Sequence, residues 1–136
     1  ALKGCDGAGL YIPNSASETT LVATRCEFAN SDYGARVFGS LTSAKFNNCL
    51  FHSNGMSGLS VQESTVHLHG EATAIHSNVQ FGIHAAYSSK ILLHLPSHHN
   101  TFYNNGKHDR LIYNNGTTYY QYQRRRLEKK KKKHSK

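Results

Sequence analysis

The chain has 136 residues, enough for one small domain with a genuine core. Its formal charge of +8 is not spread evenly: residues 1–123 carry seven bases and seven acids, while the segment 124–136 holds nine bases against Glu128 alone. A neutral body excludes the electrostatic footprint of a nucleic-acid-binding domain, and no apolar run approaches the roughly 20 residues that cross a bilayer as a helix.

Phe51-His52-Ser53-Asn54-Gly55-Met56-Ser57-Gly58-Leu59-Ser60-Val61 returns without a gap as Ile75-His76-Ser77-Asn78-Val79-Gln80-Phe81-Gly82-Ile83-His84-Ala85. An earlier copy, Phe28 to Val37, is one residue shorter, and Gly9-Leu10-Tyr11-Ile12 is the end of one before it. One full period therefore runs from Gly34 to Gly58 and the next from Gly58 to Gly82. Repetition this tight is the signature of a solenoid. Residues 1–8 read as the remnant of a preceding coil, so the chain is expected to be a piece of a longer repeat array.

Each coil divides into three apolar alternations of period two, the mark of short strands with one buried face. After the glycine come Leu10-x-Ile12, Ala35-x-Val37, Leu59-x-Val61 and Ile83-x-Ala85. The next series is Leu21-x-Ala23, Ala44-x-Phe46, Val66-x-Leu68 and Ile91-x-Leu93. The last is Cys26-x-Phe28, Cys49-x-Phe51, Thr73-x-Ile75 and Asn100-x-Phe102. No segment has helical spacing. The expected fold is all-β: a right-handed parallel β-helix of four to five coils over residues 1–123, with degenerate terminal strands at 107–123 and a basic disordered tail at 124–136. Its first coil is expected to leave Leu10, Ile12 and Phe28 as an unstacked apolar rung.

Asn54, Asn78 and Asn105 fall at one turn position, where Asn tolerates left-handed backbone and stacked amides can bond along the axis. Asn30 comes one residue early. His94 to His99, with Pro96, is expected to bulge from the fourth coil, since proline cannot donate a ladder bond. Cys26 and Cys49 point inward; they bridge or stack as thiols, the thiol pair being favoured, and three cysteines are too few for a disulfide framework. Asn115-Gly116-Thr117 fits the N-glycosylation pattern.

The Gly-apolar-x-apolar, Cys/Thr-x-aromatic and Ser-Asn-Gly elements over about residues 4–110 resemble the pectin-lyase-like right-handed β-helix superfamily. More narrowly, they are similar to right-handed β-helix domain proteins built of consecutive repeats. The resemblance implies the fold, and an activity only if the catalytic groups are present. Members include pectate lyases, polygalacturonases, epimerases and phage tailspikes. Hydrolytic members use paired aspartates, yet Asp6, Asp32 and Asp109 sit in different coils. Calcium-dependent lyases need about 6–8 oxygen ligands, and Glu27, Glu63 and Glu71 do not converge in this register.

The expected function is therefore a non-catalytic scaffold or carbohydrate-contacting segment of a larger, extracellular protein. The alternative is part of a polysaccharide lyase or hydrolase whose catalytic groups lie on other coils. The outward stripe Tyr11, Arg36, Ser60 and His84 is the candidate sugar-contacting face. His52 and His76 share an outward slot and are candidate metal ligands, with His67 and His69 on one strand face; imidazole suits Zn, Cu or Ni. No cofactor is expected. Arg124, Arg125, Arg126, Lys129, Lys130, Lys131, Lys132 and Lys133 form a candidate polyanion grip. Nucleic acid is expected only as a non-specific partner of that tail.

Overall fold

The computed structural model describes residues 2–3, 7–94, 101–113 and 117–120. Their fifteen strands form five successive rungs of three. The first holds β1 (Leu2–Lys3), β2 (Ala8–Ile12) and β3 (Thr19–Thr24). The second holds β4 (Glu27–Ala29), β5 (Tyr33–Phe38) and β6 (Thr42–Asn47). The third holds β7 (Leu50–His52), β8 (Ser57–Gln62) and β9 (Thr65–His69). The fourth holds β10 (Ala74–His76), β11 (Phe81–Ala86) and β12 (Lys90–His94). The fifth holds β13 (Phe102–Tyr103), β14 (His108–Tyr113) and β15 (Thr117–Tyr120).

Equivalent strands stack into three parallel sheets: β1-β4-β7-β10-β13, β2-β5-β8-β11-β14 and β3-β6-β9-β12-β15. This is a parallel β-solenoid, in which one coil carries Leu59 onto Ile83 and Val61 onto Ala85. Among the described residues no helix is long and apolar enough to cross a membrane.

The core is a set of side-chain columns along the axis. On the first sheet Phe28, Phe51, Ile75 and Phe102 are register partners, and each is at most 3% exposed. The second sheet adds Ala35–Leu59–Ile83 and Ile12–Val37–Val61–Ala85. The third adds Leu21–Ala44–Val66–Ile91 and Ala23–Phe46–Leu68–Leu93. Large and small residues alternate within a rung so that each fills the same cross-section. Phe28 and Phe46 share a rung with Ala35, Val37 and Ala44, whereas the fourth rung uses Ile75, Ile83, Ala85, Ile91 and Leu93. Phe28 is not on an unpaired strand, contrary to the sequence-based expectation, because β1 pairs with β4 and sets Leu2 in register with it.

Three corner positions recur with a left-handed residue among the described residues, although the connection at 13–18 has none. One corner uses Asn30, Ser53, Ser77 and Asn104, with φ of 59°, 57°, 55° and 55°. A second uses Arg25, Asn48 and Gly70, and a third Gly39, Glu63 and Tyr87. This corrects one reading of the asparagines: the left-handed residue is the one before Asn54, Asn78 and Asn105. Asn30 therefore belongs to the corner column, and Ser31 takes the ladder position in its coil, where its N–H donates to Asn54 Oδ1 (3.2 Å).

The ladder explains why the turn recurs unchanged. Asn54 Nδ2 donates to Asn78 Oδ1 and Asn78 Nδ2 to Asn105 Oδ1, both at 2.9 Å. Each amide also donates to a backbone carbonyl, those of Asn54, Asn78 and Asn105 reaching Phe28, Phe51 and Ile75 respectively. The repeat glycine follows from the same crowding. A Cβ on Gly58 would stand 2.9 Å from Asn78 Nδ2 and from the Gly82 carbonyl oxygen. Glycine is present for space, since its φ is not left-handed.

Cys26 and Cys49 are both free. Cys49 Sγ donates to the Ala23 carbonyl (3.4 Å) and Cys26 Sγ to the Thr24 carbonyl (3.5 Å). Thr73 donates to the His69 carbonyl (2.6 Å) one coil on. Thiol and hydroxyl are interchangeable at this corner because each is a small donor facing a carbonyl. Burial raises the Cys49 thiol above its ordinary pKa. Cys5, the loop at 95–100 with Pro96, the triplet at 115–117 and the tail residues 124–136 lie wholly or partly outside the described residues.

Candidate functional site

Strands of the second sheet put Tyr11, Arg36, Ser60 and His84 in one outward column, each the register partner of the next. Their surroundings differ sharply. Tyr11 is 54% exposed at the first rung, whereas Ser60 is only 2% exposed. Ser60 is small and sits between two large neighbours, so it forms the floor of the stripe.

Arg36 is held by rings. Its guanidinium carbon lies 4.6 Å from the Tyr33 ring centre, 4.7 Å from Phe38 and 5.8 Å from Tyr11. Tyr11 and Phe38 meet edge-to-face at 5.6 Å. Arg36 Nε is buried without a hydrogen-bond partner. A guanidinium over aromatic faces keeps its charge without a carboxylate neighbour, at a gain of about 0.5–2 kcal/mol per contact. Two rungs on, Phe81 stacks near His84 (5.8 Å) and His108 (6.1 Å). Burial, then the Arg36 charge, holds His84 below its ordinary pKa, so it is a neutral donor and acceptor at pH 7.

Tyr33, Phe38, Phe81 and His108 were not singled out from the sequence, although a signal existed. Tyr33, Ser57 and Phe81 each precede the repeat glycine, so they form a column as surely as the residues after it.

His52 and His76 stack with ring centres 4.9 Å apart and planes 2° from parallel, and Tyr103 continues the stack at 4.5 Å. Both nitrogens of His52 are engaged: Nε2 donates to Glu27 Oε1 (3.0 Å) and Nδ1 meets Ser53 Oγ (2.8 Å). His76 Nδ1 likewise meets Ser77 Oγ at 2.9 Å. The pair supplies two donors, where zinc sites take three or four from the protein.

Among the described residues, a convergent metal-ligand set occurs elsewhere, at His67, His69 and His94. His94 was expected in a bulge with His98 and His99. It instead ends β12 in register with His69, because Ile91 and Leu93 must align with Val66 and Leu68 and carry His94 with them. A separate polar hollow at the start of the third sheet is lined by Glu18, Thr20, Ser43 and Thr65.

The family described as the right handed beta helix region matches residues 1–124. The chain belongs to that family. No curated protein and no solved structure matches it. For a right-handed β-helix protein the outward columns are the part free to vary, since the inward ones are committed to packing. In this β-helix they concentrate aromatic rings, Arg36 and His84 on the second sheet, with further histidines on the first and third.

Proposed function

We propose that this β-helix is a non-catalytic scaffold whose second sheet contacts polysaccharide. The observation that carries the reading is Arg36 fixed between Tyr33 and Phe38, beside the exposed ring of Tyr11. Pyranose rings present C–H faces that lie on aromatic rings, and their hydroxyl or carboxylate oxygens accept from a guanidinium. A positioned cation loses little further freedom on binding. Neutral His84 adds a second polar contact across the Ser60 floor.

The non-catalytic part rests on the carboxylates. Among the described strands, Glu27 is the register partner of Leu50, so no acid stands opposite it on the next rung. Glycosidic hydrolysis by the usual route needs two carboxyl groups about 5–9.5 Å apart across the bond.

Affinity electrophoresis of the intact chain in gels cast with neutral or uronic-acid polysaccharides tests the reading. Retardation should appear, weaken strongly in Arg36→Gln and in Tyr11→Ala, and persist in 1 M salt. No reducing ends or unsaturated products should form, with or without calcium. Retardation that vanishes with salt and with removal of residues 124–136 would transfer binding to the basic tail, where counterion release drives it. Turnover by residues 1–123 would replace the scaffold reading by an enzyme.

A further inference from the structure

We propose that His67, His69 and His94 form a binding site for a late first-row divalent cation such as Zn2+, on the outer face of the third sheet. The site is independent of the sugar-contacting face on the second sheet.

Two strands build it. His67 and His69 are two residues apart on β9 and so project from one face. His94 is the register partner of His69 on β12. One ligand nitrogen from each ring lies within 4.8 Å of the others. His67 Nδ1 and His94 Nε2 are 3.4 Å apart. Two nitrogens at about 2.0–2.1 Å from one tetrahedral ion stand about 3.3–3.4 Å apart, so this edge already has the required length.

The third donor is available. His69 Nε2 is buried and has no hydrogen-bond partner. An orphaned buried nitrogen is costly, and an ion would satisfy it. His69 now lies parallel to His94 at 4.3 Å, so binding requires its ring to turn out of the stack. That is a side-chain rotation on a fixed strand, without movement of the backbone.

The chemistry selects the ion. Three imidazoles without a carboxylate suit Zn, Cu or Ni and not the oxygen-seeking Ca or Mg. A three-histidine set leaves the fourth tetrahedral position to water. Lys45 precedes His67 in register and opposes a bound cation, but it is exposed and can swing into water. Leu92 follows His67 on the other side and is half-buried.

The test is isothermal titration of the metal-free intact chain with ZnCl2, beside His67→Gln, His69→Gln, His94→Gln and the double variant His52→Gln/His76→Gln. One ion should bind at micromolar concentration. Each of the first three variants should weaken it at least about tenfold, and the double variant should not. Lys45→Gln should tighten it. All these side chains face outward, and circular dichroism verifies the fold. Imidazole 15N shifts of the unmodified chain give a readout independent of any variant: Zn2+ should move His67, His69 and His94 together. Binding that survives all three single changes, binding lost with His52 and His76, or no saturable binding at sub-millimolar Zn2+ would overturn the assignment.

Discussion

Asn54 and Asn78 join amide to amide, Nδ2 to Oδ1 at 2.9 Å, one coil apart and almost wholly out of solvent. Asn78 Oδ1 accepts a second bond there, from the Asn54 backbone N–H at 3.2 Å. The bond therefore ties the corner of one coil to the corner of the next twice over. Asn78→Ala would strand the Asn54 backbone N–H and one Nδ2 hydrogen, the other still reaching the Phe28 carbonyl, at about 1–3 kcal/mol for each orphaned donor. The expected loss is about 3 kcal/mol or more, read from urea denaturation. Asn78→Asp should be worse at pH 7, since it buries a carboxylate whose oxygen would face the Asn105 Oδ1 and the Phe51 carbonyl oxygen with no proton between them. A loss under about 1 kcal/mol for either variant would mean that the ladder is not buried as described.

Gly58→Ala should destabilise by about 1–3 kcal/mol, the usual range for overpacking. Its Cβ meets backbone and the Asn78 amide at 2.9 Å, and neither can give way without breaking the ladder. Gly55→Ala is the control: its nearest neighbour would be Asp32 Oδ1 at 3.6 Å, an ordinary contact. Equal denaturation midpoints for the two variants would contradict this difference.

Phe51 stacks on Phe28 at 5.0 Å and meets Phe46 edge-on at 5.1 Å, with no exposed surface. Phe51→Ala should cost about 3–5 kcal/mol. Phe51→Leu should recover most of it, since Ile75 fills the same column one rung on. Calorimetric melting of the three proteins decides the point.

Acid should weaken the fold before carboxylates titrate. Burial holds His67, His69, His76 and His84 below the ordinary value of 6.5. Above 6.5 folded and unfolded chains carry these rings neutral. As pH falls below it the unfolded chain takes up protons that the folded chain refuses, so stability declines down to the folded values. Urea midpoints should fall between pH 7.5 and 5, and by less in His69→Gln. A midpoint that rises toward pH 5 would contradict the sign.

Arg36→Gln should raise the pKa of His84, by removing a nearby cation and opening the site to water. An NMR titration of the His84 ring protons measures it. An unchanged pKa would show that the two side chains do not share the Ser60 floor.

The solenoid was legible because its periodicity is simple. Inward positions beside Gly34, Gly58 and Gly82 recur at one constant step, and burial punishes any slip of register. The same arithmetic placed Tyr11, Arg36, Ser60 and His84 in one column, and His52 over His76. It could have placed His94 over His69 too, had the strand been counted through its last residue and not ended at the proline.

What the chain alone determined was therefore position along the axis: which residues stack, which face inward and where the corners fall. Only the tertiary structure decided what outward neighbours do to one another. Burial of Ser60, the seating of Arg36 among three rings, the occupied nitrogens of His52 and the orphaned nitrogen of His69 all depend on side-chain rotamers. Those rotamers are set by contacts between strands a full coil apart, and periodicity carries no information about them.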